Sequence, residues 1–359
     1  VRGVQNDGGP VSLSLSHPAS VWNTRLHDVG QCALGFHGDV EAALAWSVEV
    51  GHWAPKPGTG STARLWELLA TTAAADVGVA RILEPHLDAL AILDQVPTGV
   101  ALDEIGIDEA STWGVYAAEG PECTLTAAEE DGSWILSGIK PWCSLAQVVS
   151  HAVVTARTSD GALRLFAVDM KGAGVEAEPG PWHSRGLRHV VSAPVSFSRA
   201  PAIPLGPEGW YLTRTGFDWG GIGVAACWWG GAIGIARALY GSALKREPDQ
   251  LALAHLGAVD TLLSAARATL AEASSAIDDP TTSAETVTLL TRRTRNLVAE
   301  TVESTLTRVG HALGPGPLTQ DEEHARRVAD LHLYVRQHHA ERDEASLGRK
   351  LLARKSTPW

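Results

Sequence analysis

Trp134-Ile135-Leu136-Ser137-Gly138-Ile139-Lys140-Pro141-Trp142-Cys143-Ser144 is a short extended run, interrupted at Gly138, that ends on an aromatic residue and a hydroxyl residue two places apart. In an extended segment residues i and i+2 point to the same side, so the Trp142 indole and the Ser144 hydroxyl are expected to meet one planar ligand. The competing reading is a core tryptophan beside a surface serine. Around this stretch lie four more short runs with strand character, at 123–128, 152–156, 163–168 and 190–197. Asp131-Gly132 and Asp160-Gly161 stand between such runs as hairpin turns. That pattern predicts an antiparallel barrel or sandwich of roughly a hundred residues rather than a parallel sheet.

The flanks differ in period. Ala and Leu recur at helical spacing in 39–50, 62–83 and 85–95, which predicts an amino-terminal helical layer. Ser61 or Thr62 is placed to cap one helix, and Glu84-Pro85 puts proline at the first turn of the next, where its missing N–H costs nothing. After Gly209 the helical period returns to the carboxyl end, broken at Glu247-Pro248, Asp279-Pro280 and Gly314-Pro315-Gly316-Pro317, each read as a helix–helix corner. The expected organisation is α+β: helices over 1–108, a β domain over 109–208 and a bundle of about four long helices over 209–359.

The chain has 359 residues, 45% of them hydrophobic and 19% charged, enough to bury a large core and too apolar for global disorder. Its 29 basic against 41 acidic residues give a formal charge of −12, which repels nucleic acid and anionic lipid surfaces. Cys32, Cys123, Cys143 and Cys227 form neither a C-x-x-C pair nor a Cys/His ligand cluster, so no disulfide framework or metal site is expected, and reduced thiols point to the cytoplasm. No run approaches the ~20 uninterrupted apolar residues that span a bilayer, and residues 1–18 lack the apolar core of a signal peptide. Thirteen Trp against four Phe, four Tyr and one Met could wall an aromatic ligand site or serve as amphipathic core filler.

The segment from Trp134 to Ser144, followed by Val153-Val154-Thr155-Ala156-Arg157 and Leu165-Phe166-Ala167-Val168-Asp169, resembles the β domain of the acyl-CoA dehydrogenase family. In architecture the likeness covers nearly the whole chain. Gly186-Leu187-Arg188 resembles the family's G-M-R strand pair, and the small-residue run from Gly220 to Ala236 resembles the first long helix of its bundle. That run is not read as a phosphate loop, because no strand precedes it in a βαβ unit. The resemblance implies FAD between the β domain and the bundle, with Trp142 against the flavin ring and Ser144 near its reactive nitrogen, Cys143 lying between them. His311-Ala312-Leu313-Gly314-Pro315-Gly316 stands where the family carries Q-x-x-G-G-x-G, a turn for the cofactor pyrophosphate. His311, Gly314 and Gly316 are therefore cofactor candidates, on a surface the family shares between subunits of a homodimer or homotetramer.

The sequence also departs from the family. Counting back from Gly348-Arg349-Lys350-Leu351-Leu352 puts Gln337 where one group of these enzymes has its glutamate base, and an amide is no base. The other group's position is occupied by Gly220, with Asp218 nearby. Ala117-Ala118-Glu119-Gly120-Pro121-Glu122 replaces the E-P-x-x-G-S-D loop, and Lys245-Arg246-Glu247-Pro248 replaces the R-x-x-F-G whose guanidinium would bind pyrophosphate. His338 and His339 offer substitute proton-transfer chemistry, with Gln337, His338 and His339 the catalytic candidates; if helical, adjacent histidines diverge by about 100 degrees, so one at most faces the site. The expected function is an FAD-dependent oxidoreductase acting on an acyl thioester or related small molecule. A flavin-dependent monooxygenase of the same fold, which needs no glutamate, and an oligomeric scaffold without catalysis are the alternatives.

Overall fold

A computed structural model describes residues 8–15, 20–97, 99–121, 124–354 and 357. Four helices come first: α1 (Val21–Gly35), α2 (Val40–Gly51), α3 (Thr62–Ala75) and α4 (Val77–Asp94). Helix α1 adds to the three expected from the sequence, burying Leu26, Val29, Gly30 and Ala33 at helical spacing. Its N-cap is Ser20, and Asp39 caps α2 by accepting from the Ala42 amide.

Two local expectations are corrected. The break falls at Asp76, not at Glu84-Pro85. The Asp76 amide closes α3 on the Thr72 carbonyl, while its carboxylate accepts from the Val79 amide at 3.0 Å and opens α4. Pro85 lies inside α4, where it removes the bond that residue 85 would make to the Arg81 carbonyl. Nor does Ser61 cap α3 through its side chain. Asp278, 216 residues away from Thr62, does so, accepting from the Gly60 amide (3.0 Å), the Thr62 amide (3.0 Å) and the Thr62 hydroxyl (2.6 Å). One ionised carboxylate satisfies two N–H groups that a serine hydroxyl would share poorly.

A central sheet follows, with β1 (Trp113–Tyr116), β2 (Leu125–Glu130), β3 (Ser133–Ser144), β4 (His151–Arg157), β5 (Leu163–Asp169), β6 (Val175–Ala177) and β7 (Ser192–Leu205). Asp131-Gly132 joins β2 to β3 as an antiparallel hairpin, both turn residues at positive φ (50° and 80°), the geometry of a type I′ turn. Asp160-Gly161 lies in the five-residue loop 158–162 that joins β4 to β5 as an antiparallel hairpin, with Gly161 alone of the pair at positive φ (84°). Two pairings run the other way: β1 lies parallel to β4, and one parallel bridge, Thr126 to Arg157, links β2 to β4. The pairings β4–β2–β3–β7–β5–β4 thus form a ring whose closure rests on a single bridge. Strands β1 and β6 have too few residues to show a period in sequence. Glu122 and Cys123 lie outside the described residues, as do 1–7 and 16–19 of the amino end.

The carboxyl half contains α5 (Trp210–Thr213), α6 (Phe217–Lys245), α7 (Gln250–Asp278), α8 (Ala284–Leu313), α9 (Gly316–Gln320), α10 (Glu322–Tyr334) and α11 (Glu341–Ala353), with a 3-10 turn at Val335–Gln337. Three of its corners, α6–α7, α7–α8 and α8–α9, fall at the proline-containing breaks, and those at Asp321 and 338–340 have no proline. By length and composition α6 could cross a membrane, but 72% of its most apolar stretch is buried inside the protein, as befits a core helix. The reason is steric. A Cβ on Gly230 would stand 2.1 Å from the Ala70 carbonyl oxygen, and one on Gly234 2.4 Å from that of Ala74. These two glycines, one turn apart, let the backbones of α6 and α3 touch and bring Trp66 and Trp228 into the core fully buried.

Gly230→Ala should therefore force α6 away from α3 at a cost of about 1–3 kcal/mol, the range for overpacking a tight core. A urea unfolding midpoint unchanged from that of the parent chain would contradict this backbone contact.

Candidate active site

Where α4, β1, the α5–α6 turn, α8 and the turn before α11 converge, the structure encloses a cavity of about 430 Å³. Helix α4 supplies Arg81, Glu84 and Asp88, spaced three and four apart and so on one face. Helix α8 supplies Thr291, Arg292, Arg295 and Asn296 by the same periodicity. Tyr211, Arg214, Phe217 and Asp218 close one side, and Gln337, His339 and Asp343 the other. Gly220 and Gly221 make room on α6. A Cβ at Gly220 would lie 2.6 Å from the Asp88 carboxylate, and the Gly221 carbonyl accepts from the Arg295 guanidinium at 2.5 Å.

Arg81 connects this cavity to the sheet. One of its nitrogens donates to the Ser144 hydroxyl at 3.0 Å, another lies 3.9 Å from Glu84, and the guanidinium sits 5.7 Å over the Tyr334 ring. The Tyr334 hydroxyl donates to Glu84 at 3.5 Å. Burial pushes the Glu84 carboxyl up to about 7, against the opposing pull of Arg81, and burial also raises Asp88 above the usual carboxylate range against Arg214. A cavity carboxyl poised near neutrality is a proton-transfer candidate. Sequence reading missed it because the helix was divided at Pro85. Read through that proline, the spacing Arg81, Glu84, Asp88 would have placed three charges on one stripe of an apolar helix.

The histidine pair does not lie in a helix, which corrects the divergence expected of it. Helix α10 stops at Tyr334, a 3-10 turn carries Gln337, and His338 is extended (φ −83°, ψ 129°). Ala340 follows at φ 47°, ψ −125°, a strained conformation for a residue with a Cβ. The His338 side chain is only 7% exposed, and burial lowers its pKa. Its Nδ1 accepts from the Ala340 amide at 3.2 Å, so Nε2 carries the proton toward Asn296 Oδ1 at 2.9 Å. His339 differs: its side chain is 66% exposed, and its Nδ1 lies 3.5 Å from the Asp343 carboxylate. Asp343 also accepts from the His339 amide at 3.1 Å. Gln337 and His339 line the cavity together.

The residues at the end of β3 separate. Between Lys140 and Cys143 the pairing with β7 slips, three residues on β3 spanning two on β7, and Trp142 takes φ 59°. This bulge breaks the strand alternation on which a shared side for Trp142 and Ser144 was expected, and the two differ in exposure. Trp142 is 62% exposed, whereas Ser144 is buried, bonded to Arg81 and 2.6 Å from the Ser192 hydroxyl. Cys143 points into the core, its thiol pushed up to about 12 by burial. His311, Gly314 and Gly316 sit apart from the cavity at the α8–α9 corner, where Gly314 ends α8 at φ 64° and the His311 ring lies 5.9 Å from that of His255. Asp218 accepts from the Thr288 hydroxyl at 2.6 Å.

Glu84 makes stability depend on pH with a definite sign. A carboxyl raised from an unfolded value of about 4.3 to about 7 contributes fully below the lower value and loses that contribution as pH climbs toward the higher one. Glu84→Gln keeps the neutral shape throughout. Its thermal midpoint should gain on the parent's between pH 4.5 and 7, by the equivalent of about 3 kcal/mol, and the gain should level off above that range. A difference independent of pH would show that Glu84 is ionised at neutrality.

The sequence matches no protein-family model, and no curated protein matches it. Solved structures do. KijD3 in complex with FMN and a dTDP-amino-keto sugar superposes with a TM-score of 0.75 at 19% identity, over 89% of this chain and 90% of that one. FMN-bound TdsC from Paenibacillus sp. A11-2, a dibenzothiophene monooxygenase, gives 0.72 at 17% over 91% and 98%. Butyryl-CoA dehydrogenase from Megasphaera elsdenii gives 0.77 at 16% over 94% and 100%. With amino-terminal helices, a central sheet and a carboxyl-terminal bundle in the same order, the chain has the acyl-CoA dehydrogenase fold.

Proposed function

We propose that this chain is a flavin-dependent oxidoreductase of small molecules, and that the reaction is monooxygenation rather than acyl dehydrogenation. The observation that carries this reading is the cavity wall ahead of α11, where Gln337 and His339 stand and no carboxylate base replaces them from that segment. FMN-bound solved structures of the same fold, one of them a monooxygenase, support it.

The residues present fit a flavin. The open Trp142 indole suits the face of a planar ring, and the Arg81–Ser144–Ser192 group offers donors suited to its polar edge. FMN fits better than the FAD expected from the sequence, because the arginine that would hold a pyrophosphate is replaced at Lys245-Arg246-Glu247-Pro248. His311, Gly314 and Gly316, expected to hold a cofactor pyrophosphate, then have no cofactor role, because FMN carries a single phosphate. When bound and reduced, the flavin supplies the two electrons by which one oxygen atom of O2 enters a substrate and the other leaves as water. His339 moves the proton: its Nδ1 faces the Asp343 carboxylate at 3.5 Å, and that carboxylate also lies 3.7 Å from His338 Nε2, while Asn296 fixes His338, which shapes the turn. Glu84 supports a second reading, dehydrogenation with a base supplied from α4.

Titrating the protein with FMN and FAD and following flavin fluorescence tests the reading. FMN should bind, and Trp142→Ala should weaken it about tenfold, as loss of one aromatic stack costs on the order of 1 kcal/mol. Failure to take up either flavin would leave the chain as an assembly component. With flavin loaded, Asp343→Asn should shift the pH profile of turnover while His338→Gln should change stability more than the profile; identical profiles would remove the histidine from proton transfer.

A further inference from the structure

The cavity holds more positive charge than its carboxylates neutralise at contact distance. Arg214, Arg292 and Arg295 line it, and their hydrogen bonds go to neutral oxygens: Arg214 to Gln95 Oε1 (3.2 Å), Arg292 to Ser346 Oγ (2.7 Å), and Arg295 to the carbonyls of Gly221 (2.5 Å) and Gln337 (3.5 Å). Among the described residues, Asp88 alone comes within ion-pair range of any of the three, at 4.0 Å from Arg214. The Arg214 side chain is only 3% exposed, and its Nε and that of Arg292 are buried without a hydrogen-bond partner. The remaining acidic groups of the lining make their contacts elsewhere, Glu84 near Arg81, Asp218 with Thr288, and Asp343 with the His339 amide, and Asp343 and Glu84 reach Arg295 only through space. A guanidinium held out of water without a carboxylate costs several kcal/mol. In a protein with a formal charge of −12, three arginines around one cavity, two of them beyond ion-pair distance of any carboxylate among the described residues, are an arrangement that a ligand's counter-charge would relieve.

We propose that the substrate carries an anionic head group, a carboxylate or a phosphate, bound by Arg214, Arg292 and Arg295. The planar fork of arginine matches either anion with paired hydrogen bonds. Val115, Tyr211, Phe217 and Val224 provide the apolar wall for the body of the molecule, so the class is a small aromatic or aliphatic acid or its phosphate ester. This rests on the reading of the cavity as the substrate site, and it is independent of whether flavin binds.

Calorimetric titration of the full chain with benzoate, phenyl phosphate and benzamide tests it. At least one anion should bind about tenfold more tightly than benzamide, the uncharged shape match, and Arg292→Gln and Arg295→Gln should each remove most of that preference. Equal affinity for benzamide and both anions in the unaltered chain overturns the proposal without any variant. FMN and riboflavin affinities are read in parallel by fluorescence. If the arginine variants weaken FMN but leave riboflavin unchanged, the guanidiniums hold the cofactor's phosphate and the substrate proposal falls while the flavin reading stands. If the anions bind as expected and no flavin is taken up, the anion site stands and the oxidoreductase reading falls.

Discussion

Arg81 joins all three layers at one point. From a single turn of α4 it reaches the last hydroxyl of β3, the neighbouring carboxyl of its own helix and the face of Tyr334 on α10. A guanidinium in that position has lost most of its water, and it is tolerable because every side of it meets an acceptor, a counter-charge or a π face. Without it the Ser144 hydroxyl would keep only the Ser192 hydroxyl as a side-chain partner among the described residues, and Glu84 would face the core without its nearest positive charge.

The chemistry of the cavity follows from this burial. The same desolvation that confines Arg81 raises Glu84 and Asp88 and opposes the charge on Arg295. Three irregular features lie at this region as well: a proline inside α4, a bulge at Trp142, and a residue with a Cβ in a strained conformation at Ala340. Each departs from what local propensity favours, and each lies beside a residue of the candidate site. Such departures are expected where surrounding packing holds a geometry that function requires.

Much of the fold was legible because its signals are local. Asp131-Gly132 and Asp160-Gly161 mark hairpins through the backbone conformations those residues accept, and prolines at 248, 280 and 315 mark helix corners through a missing N–H. Other features had no local signal. Asp278 caps α3 from the far end of α7, and β1 and β6 are too short to display a period. The candidate site was partly legible: Gln337 and His339 reached the cavity, and Ser144 reached it through Arg81. Trp142 and Cys143 did not follow the expected alternation, because one extra residue in β3 rotated them.

By itself the sequence determined the order of helices, sheet and bundle, since hydrophobic period and turn residues act over a few neighbours. It also determined that the segment before α11 offers an amide and imidazoles where a carboxylate would be needed. Which imidazole is exposed, which carboxyl is raised above its ordinary range and which guanidiniums lie beyond ion-pair distance of a carboxylate were decided only by the tertiary structure. Those properties depend on desolvation and on partners brought from α4, α6, α8 and α11, and no stretch of chain contains its own dielectric surroundings.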